Sequence, residues 1–273
     1  MTQTSLTSHQ QYGCSDGHVQ TDLLDRLWLY TNLDCNLECR YCVTQSCPRT
    51  PPRALNIGQA MQIVDEALVL GFRHVYVTGG EPFLLQSITD LLEYTCSKVP
   101  TTVLTNATLL PKVLLDRLEQ VANGQLTMQV SLDGATPEHN DPYRGPGTWE
   151  RTVDGLKRLL AHRLQVTVST TRTPVNAKHL NELTAFLDGL GIGQDRHLVR
   201  NMVKGGFASE GIELRASMLE PEVTVTAEGI FWHPLLLPGN EDMLVAEPSI
   251  PLADAVERFR IRLLDPGKRG KFI

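Results

Sequence analysis

"RLWLYTNLDCNLECRYC", residues 26–42, joins a strand-like run to three cysteines at positions 35, 39 and 42. The apolar and aromatic stretch 26–33 reads as a β-strand that stops just before the first cysteine. The cysteine spacing is C-x3-C-x2-C. Three thiols on one loop is an awkward number, because disulfides pair and structural zinc takes four ligands. Thiolates are soft ligands that suit zinc or iron–sulfur clusters. A 4Fe–4S cube held by three cysteines leaves one iron without a protein ligand, and that iron is free to bind a substrate or cofactor. A zinc site completed by Cys47 or a histidine is the other metal reading. Unligated thiols are the third.

Outward from this stretch, strand and helix patterns alternate. Further strands are expected at 74–80, 101–106, 126–133, 165–171 and 196–202. Between them run apolar stripes at helical spacing, such as Ala60, Val64 and Ala67, or Leu183, Leu187 and Leu190. Gly71 marks a helix stop, Pro111 a helix start, and Asn176 a cap for the stretch that follows it. Six such alternations imply a parallel sheet with crossover helices. The fold class is α/β, a partial (β/α)6 TIM-like barrel. Such barrels place their functional loops at the C-terminal ends of the strands. The cysteines follow strand one, "GGEP" (79–82) strand two and Asn106 strand three. Ser131 and Asp133 lie on strand four, and Thr171 ends strand five.

After about residue 205 the texture changes. "EVTVTAEGIFWHP" (222–234) reads as a hairpin turning at Glu228-Gly229, and 251–264 as a closing helix. The expected organisation is a polar arm over 1–24, a core barrel over 25–205, and a small α+β appendage over 206–273 that covers the barrel's open side with Ile230, Phe231 and Trp232. The chain has 273 residues, a formal net charge of −6, and six cysteines. That charge gives no reason to expect nucleic-acid binding. Lys268–Lys271 reads as a short solvated tail. No apolar run is long enough to span a membrane and no signal peptide is visible, so a cytoplasmic, reducing location is expected.

The cysteine stretch, with Tyr41 as the aromatic before Cys42, resembles the C-x3-C-x-aromatic-C signature of the radical S-adenosylmethionine (SAM) enzymes. "TGGEP" (78–82) is similar to that family's second motif. "TNAT" (105–108), "SLDG" (131–134) and "HNDPYRGPGTW" (139–149) resemble pieces of its peptide- and cofactor-modifying branch. The resemblance covers residues 26–202. It implies that Cys35, Cys39 and Cys42 hold one 4Fe–4S cluster and that its open iron chelates the amino and carboxylate groups of SAM. Gly79, Gly80 and Glu81 would receive the amino group, Ser131 the ribose, and Arg144 the carboxylate. The backbone near Tyr41 and Val43 would border the adenine. An external one-electron reductant of flavodoxin or ferredoxin type would start cleavage of SAM to a 5′-deoxyadenosyl radical, which abstracts hydrogen from a substrate.

No peptide-binding N-terminal domain is recognisable, which favours a small-molecule substrate over a peptide. The alternative function is a non-catalytic iron–sulfur or zinc module in electron transfer or regulation. Residues 206–273 resemble the family's cysteine-rich SPASM extension, with His233 where a cysteine is expected. No cysteine follows Cys96, so auxiliary clusters are not expected. Among the remaining thiols, Cys14 falls in the polar arm, Cys47 close to the loop and Cys96 on a core helix. Glu81 has the competing role of a helix cap, and Asn106 and Asp133 that of turn residues, with Asp133 also able to orient a neighbour.

Overall fold

Apolar and polar side chains alternate along the strands, and that alternation sets the architecture. The computed structural model describes residues 25–215, 218–235, 243–247 and 251–264. The expected arm 1–24 with Cys14, and Lys268–Lys271, lie outside these residues. The strands of the expected alternation are β1 (Arg26–Tyr30), β2 (His74–Thr78), β3 (Thr101–Thr105), β4 (Leu126–Ser131), β5 (Gln165–Arg172) and β6 (His197–Asn201). They are parallel and pair in chain order from β1 to β6.

One face of these strands carries Leu27, Leu29, Val75, Val77, Val103, Met128, Val130, Val166 and Val168, all in the main core. Helices α1 (Ile57–Leu70), α2 (Ile88–Cys96), α3 (Lys112–Ala122), α5 (Thr148–Ala161) and α6 (Leu180–Gly189) contribute their buried stripes to the same core. The register places the opposite residues side by side: Trp28 with Tyr76, Tyr76 with Thr102, Leu104 with Gln129, Gln129 with Thr167, and Ser131 with Ser169. Parallel strands covered on both faces are apolar almost throughout. Here the second face is rich in hydroxyls and amides from β3 to β5, as suits the lining of a solvated barrel interior.

Local signals account for both ends of α1. Asn56 caps α1 by accepting from the Gln59 amide at 3.1 Å, and Gly71, at φ 98°, closes it in the left-handed region. The Asn176 cap expected from sequence is corrected. Helix α6 starts later, at Leu180, and Asn176 instead donates at 2.8 Å to the carbonyls of Asp133 and Thr171. Helix α4 (Pro137–Arg144) has no counterpart among the expected elements. It is polar, contains Pro142 and lacks an apolar stripe. Its Asp141 accepts from the Gly147 and Trp149 amides at 2.7 and 2.8 Å, so that α4 caps the start of α5.

The hairpin after residue 205 is formed by β7 (Thr224–Thr226) and β8 (Gly229–Phe231), joined by β9 (Leu244–Ala246). It extends the main sheet: β7 pairs in parallel with β1, giving the order β6-β5-β4-β3-β2-β1-β7-β8-β9. The β1 edge is thus covered, and β6 ends the sheet on the other side. Ile230 enters the main core, while Trp232 packs with Met243 and Phe259 in a smaller cluster. Helix α7 (Leu252–Leu264) packs on α1, and its Leu252 amide donates to Glu66 at 2.8 Å. His233 accepts from the Leu235 amide at 3.0 Å, and burial pushes its imidazole down to about 3. At neutral pH it is therefore an uncharged backbone partner.

Candidate active site

The three thiols open into one cleft at the C-terminal ends of β1 to β4. Cys35, Cys39 and Cys42 line it together with Tyr41, Gly79, Gly80, Asn106, Ser131 and Arg144. Of the residues singled out from sequence, Val43, Cys47, Glu81, Asp133, Thr171 and His233 are not among those that line it.

The cysteine loop is held from three sides. On the first, Asn32 donates to the carbonyls of Asp34 and Glu81 at 2.9 and 3.1 Å. The Gly80 and Glu81 amides in turn donate to the Asn32 and Asp34 carbonyls at 2.9 and 3.1 Å. A Cβ on Gly79 would lie 2.6 Å from the Asn32 carbonyl oxygen, and one on Gly80 would overlap the Asp34 carbonyl. The Gly-Gly pair is therefore required first by the cysteine loop itself, and not only by the approach of a ligand. On the second side, Asn106 donates to Asn36 at 2.9 Å, with its amide 4.0 Å from the Cys35 sulfur, and Asn36 donates to Thr108 at 2.8 Å. On the third, Phe207 donates to the Cys42 carbonyl at 3.0 Å and Gln45 to Gly206 at 3.2 Å. Gly206 has φ 59°, and a Cβ there would overlap the Cys42 carbonyl.

Glu81 is 1% exposed, and its carboxylate is occupied inside the fold. It accepts from Thr105 Oγ1 and the Asn106 amide, both at 2.8 Å, and caps a 3-10 turn through the Phe83 amide at 3.2 Å. Burial pushes it up to about 6 in spite of these donors. Any contact of Glu81 with a ligand in the cleft falls to its backbone.

Arg144, Tyr41 and Asp133 form a buried relay. Arg144 Nη1 donates to the Tyr41 hydroxyl at 2.7 Å, and that hydroxyl donates to Asp133 Oδ2 at 2.5 Å. Asp133 also accepts from the Thr171 amide at 2.8 Å. Burial alone would lower Arg144, but Tyr41, Cys39 and Asp133 together raise it, so the guanidinium stays charged. Burial raises Asp133 against the pull of Arg144. Arg144 Nε is buried without a partner among the described residues. A charged donor with an unused N–H beside a cleft suits a carboxylate.

The Cys35 and Cys39 thiols are not pre-ionised. Burial pushes Cys35 up to about 12 and raises Cys39 as well. A metal must displace their protons. Cys47 lies outside the cleft, with its sulfur 3.5 Å from the Thr50 hydroxyl, and Cys96 is buried on α2. Among the described residues the donor set of the cleft is thus three sulfurs with neither a fourth cysteine nor a histidine lining it, which fits a cluster with one open iron better than a closed zinc site.

A half-open parallel barrel with a three-thiol loop over its strand ends defines an iron–sulfur enzyme class. The family model described as "Radical SAM superfamily" matches residues 30–187, and the chain belongs to that superfamily, whose members use a 4Fe–4S cluster and SAM. The chain is 32% identical over 152 residues to the AdoMet-dependent heme synthase of Methanosarcina barkeri, covering 55% of this chain and 42% of that one. It is 32% identical over 159 residues to the mycofactocin maturase MftC of Mycobacterium tuberculosis, covering 58% and 40%. It therefore spans about two fifths of the length of these relatives. The structure of anSMEcpe with bound AdoMet and Cp18Cys peptide superposes with a TM-score of 0.65 at 14% identity, over 85% of this chain and 80% of that one. At that identity the likeness speaks for the fold.

The sequence reading missed Asn32 and Asn36, the polar residues that fasten the loop. The signal available was the Gly-Gly pair, which needs a backbone or a ligand to approach it.

Proposed function

We propose that this chain is a SAM-cleaving radical enzyme acting on a peptide. In this reading Cys35, Cys39 and Cys42 hold the cluster, and Tyr41, Gly79, Gly80, Glu81, Ser131 and Arg144 serve SAM. The observation that carries it is the convergence of the three thiols, the Gly-Gly edge, Ser131 and Arg144 on one cleft. When bound, and reduced by an external one-electron donor of flavodoxin or ferredoxin type, the cluster supplies the electron that splits SAM into methionine and a 5′-deoxyadenosyl radical.

The chain's own part is to bind, orient and exclude water. Arg144 offers its unused Nε–H to the SAM carboxylate, with its charge fixed by Asp133 through Tyr41. Carbonyls at Gly79 and Gly80 offer acceptors to the amino group, since the Gly80 and Glu81 amides already bond the loop. Ser131 offers a hydroxyl to the ribose.

A peptide replaces the small molecule favoured from sequence, for two reasons. One similar curated protein is named a maturase. In addition, β6 ends the sheet, with Leu198 41% exposed, so the interior is approachable along an open flank. The organisation into a barrel over 25–205 and a cluster-free SPASM-like extension over 206–273 is proposed with it. Its support is the β7–β8 hairpin together with the lack of any cysteine after Cys96. Contacts do cross residue 205, since 206 and 207 seat on the cysteine loop.

Anaerobically reconstituted protein, reduced with dithionite, is expected to release 5′-deoxyadenosine from SAM without added substrate. A full cluster with no such product refutes the reading. Arg144→Lys is expected to keep the cluster and to weaken SAM binding by about 10- to 100-fold, the size of one lost charge-assisted hydrogen bond. Unchanged SAM affinity removes Arg144 from the site.

A further inference from the structure

A second group of metal-ligating side chains lies away from the cleft. His139 sits on α4, His179 is the N-cap residue of α6, and Glu182 is in the first turn of α6. One ligand atom from each lies within 4.8 Å of the other two. Glu182 is 2.9 Å from His179 Nδ1 and 3.9 Å from His139 Nδ1. The two imidazoles face each other with centroids 3.8 Å apart at 19°. His139 Nδ1 is buried and has no hydrogen-bond partner among the described residues, which is a costly condition for a polar atom.

We propose that His139, His179 and Glu182 form a separate site for one zinc-class divalent ion, which clips α4 to the start of α6. Two imidazoles and a carboxylate are the donor set of three-ligand zinc sites that keep a fourth position for water. Nitrogen and oxygen donors without thiolate also set the site apart from the cysteine loop. The ion gives His139 Nδ1 its missing partner. Coordination at about 2.0–2.2 Å requires the three ligand atoms to draw together. The Glu182 and His179 side chains, 58% and 36% exposed, are free to move, whereas a Cβ on Gly134 would lie 2.6 Å from His139 Cβ, so His139 has little room. The Glu182 and His179 side chains therefore close on His139. Helix α4 ends in Arg144, and its Asn140 accepts from the Asp133 amide at 3.0 Å. The ion thus stiffens the element behind the Arg144–Tyr41–Asp133 relay without touching the cleft. The site stands whether or not the chain cleaves SAM.

The test is equilibrium dialysis of the reconstituted 273-residue chain against buffered zinc, with metal content read by mass spectrometry. One zinc per chain beyond the cluster iron is expected at micromolar free ion, with nitrogen and oxygen but no sulfur in its X-ray absorption shell. His179→Ala and Glu182→Gln are each expected to lower zinc affinity at least tenfold, with circular dichroism and iron content unchanged. Both positions are partly exposed, so they remain informative if His139→Ala fails to fold. Equal zinc binding by wild type and both variants, sulfur in the shell, or no zinc uptake overturns the site.

Discussion

Alanine in place of any one of Cys35, Cys39 or Cys42 is expected to take cluster iron from about four atoms per chain to none after anaerobic reconstitution. The iron–sulfur absorption should vanish with it. The effect should be complete because all three sulfurs face one cleft and no other cysteine of the described residues lines it. Cys47→Ala is the informative control. Cys47 is near the loop, and its carbonyl accepts from the Cys35 amide at 3.4 Å. That bond is made by backbone, so alanine preserves it and the cluster should survive. Cys96→Ala should also keep its iron, because that thiol is buried on α2. Stoichiometric zinc in place of iron, or cluster loss in Cys47→Ala with the fold intact, would defeat the three-cysteine assignment.

Gly80→Val is expected to abolish both SAM binding and the cluster. From sequence alone, a bulky residue at this position should weaken SAM binding and spare the cluster, since the glycine is read as space for the ligand. The geometry of the strand end leads to the opposite expectation. A Cβ at Gly80 overlaps the Asp34 carbonyl, one residue before Cys35, and the Gly80 amide is bonded to Asn32. The obstacle is backbone, so no side-chain rotation relieves it. The strand-end contact must open and the thiols lose their common geometry. Gly79→Ala meets the Asn32 carbonyl and side chain, and should act in the same direction. Iron content and SAM affinity measured on the same preparation decide the matter. A Gly80→Val protein with four irons and impaired SAM binding would show that the ligand, and not the loop, demands the glycine.

Much of the barrel is legible because each strand and most helices bury one regular face. The run from Leu126 to Ser131 alternates apolar and polar, and α5 carries Val153, Leu156 and Leu159 inward. Helix α4 offers no such periodicity. Its eight residues include Pro137 and Pro142, and its order comes from tertiary partners such as Asn140 and Asp141. The metal ligands are legible from spacing, because three thiols so close together constrain the chemistry. Glu81 illustrates the opposite case. The residue type suggests a ligand contact, yet its carboxylate is taken up by Thr105, Asn106 and Phe83, which only the β2–β3 pairing brings near. Likewise, the link from Arg144 through Tyr41 to Asp133 joins positions 103 and 92 residues apart, and no local pattern reports it.

The grip of residues 206 and 207 on Cys42 has a consequence for biosynthesis. Cys42 leaves the ribosome 165 residues before Phe207, as 207 − 42 shows. At roughly 5–20 residues per second, that is on the order of 8–30 s. During that interval the cysteine loop lacks one of its three walls, and the growing chain exposes thiols that have no fixed geometry. The loop therefore gains its full set of backbone contacts only after the segment that follows β6 has emerged and docked.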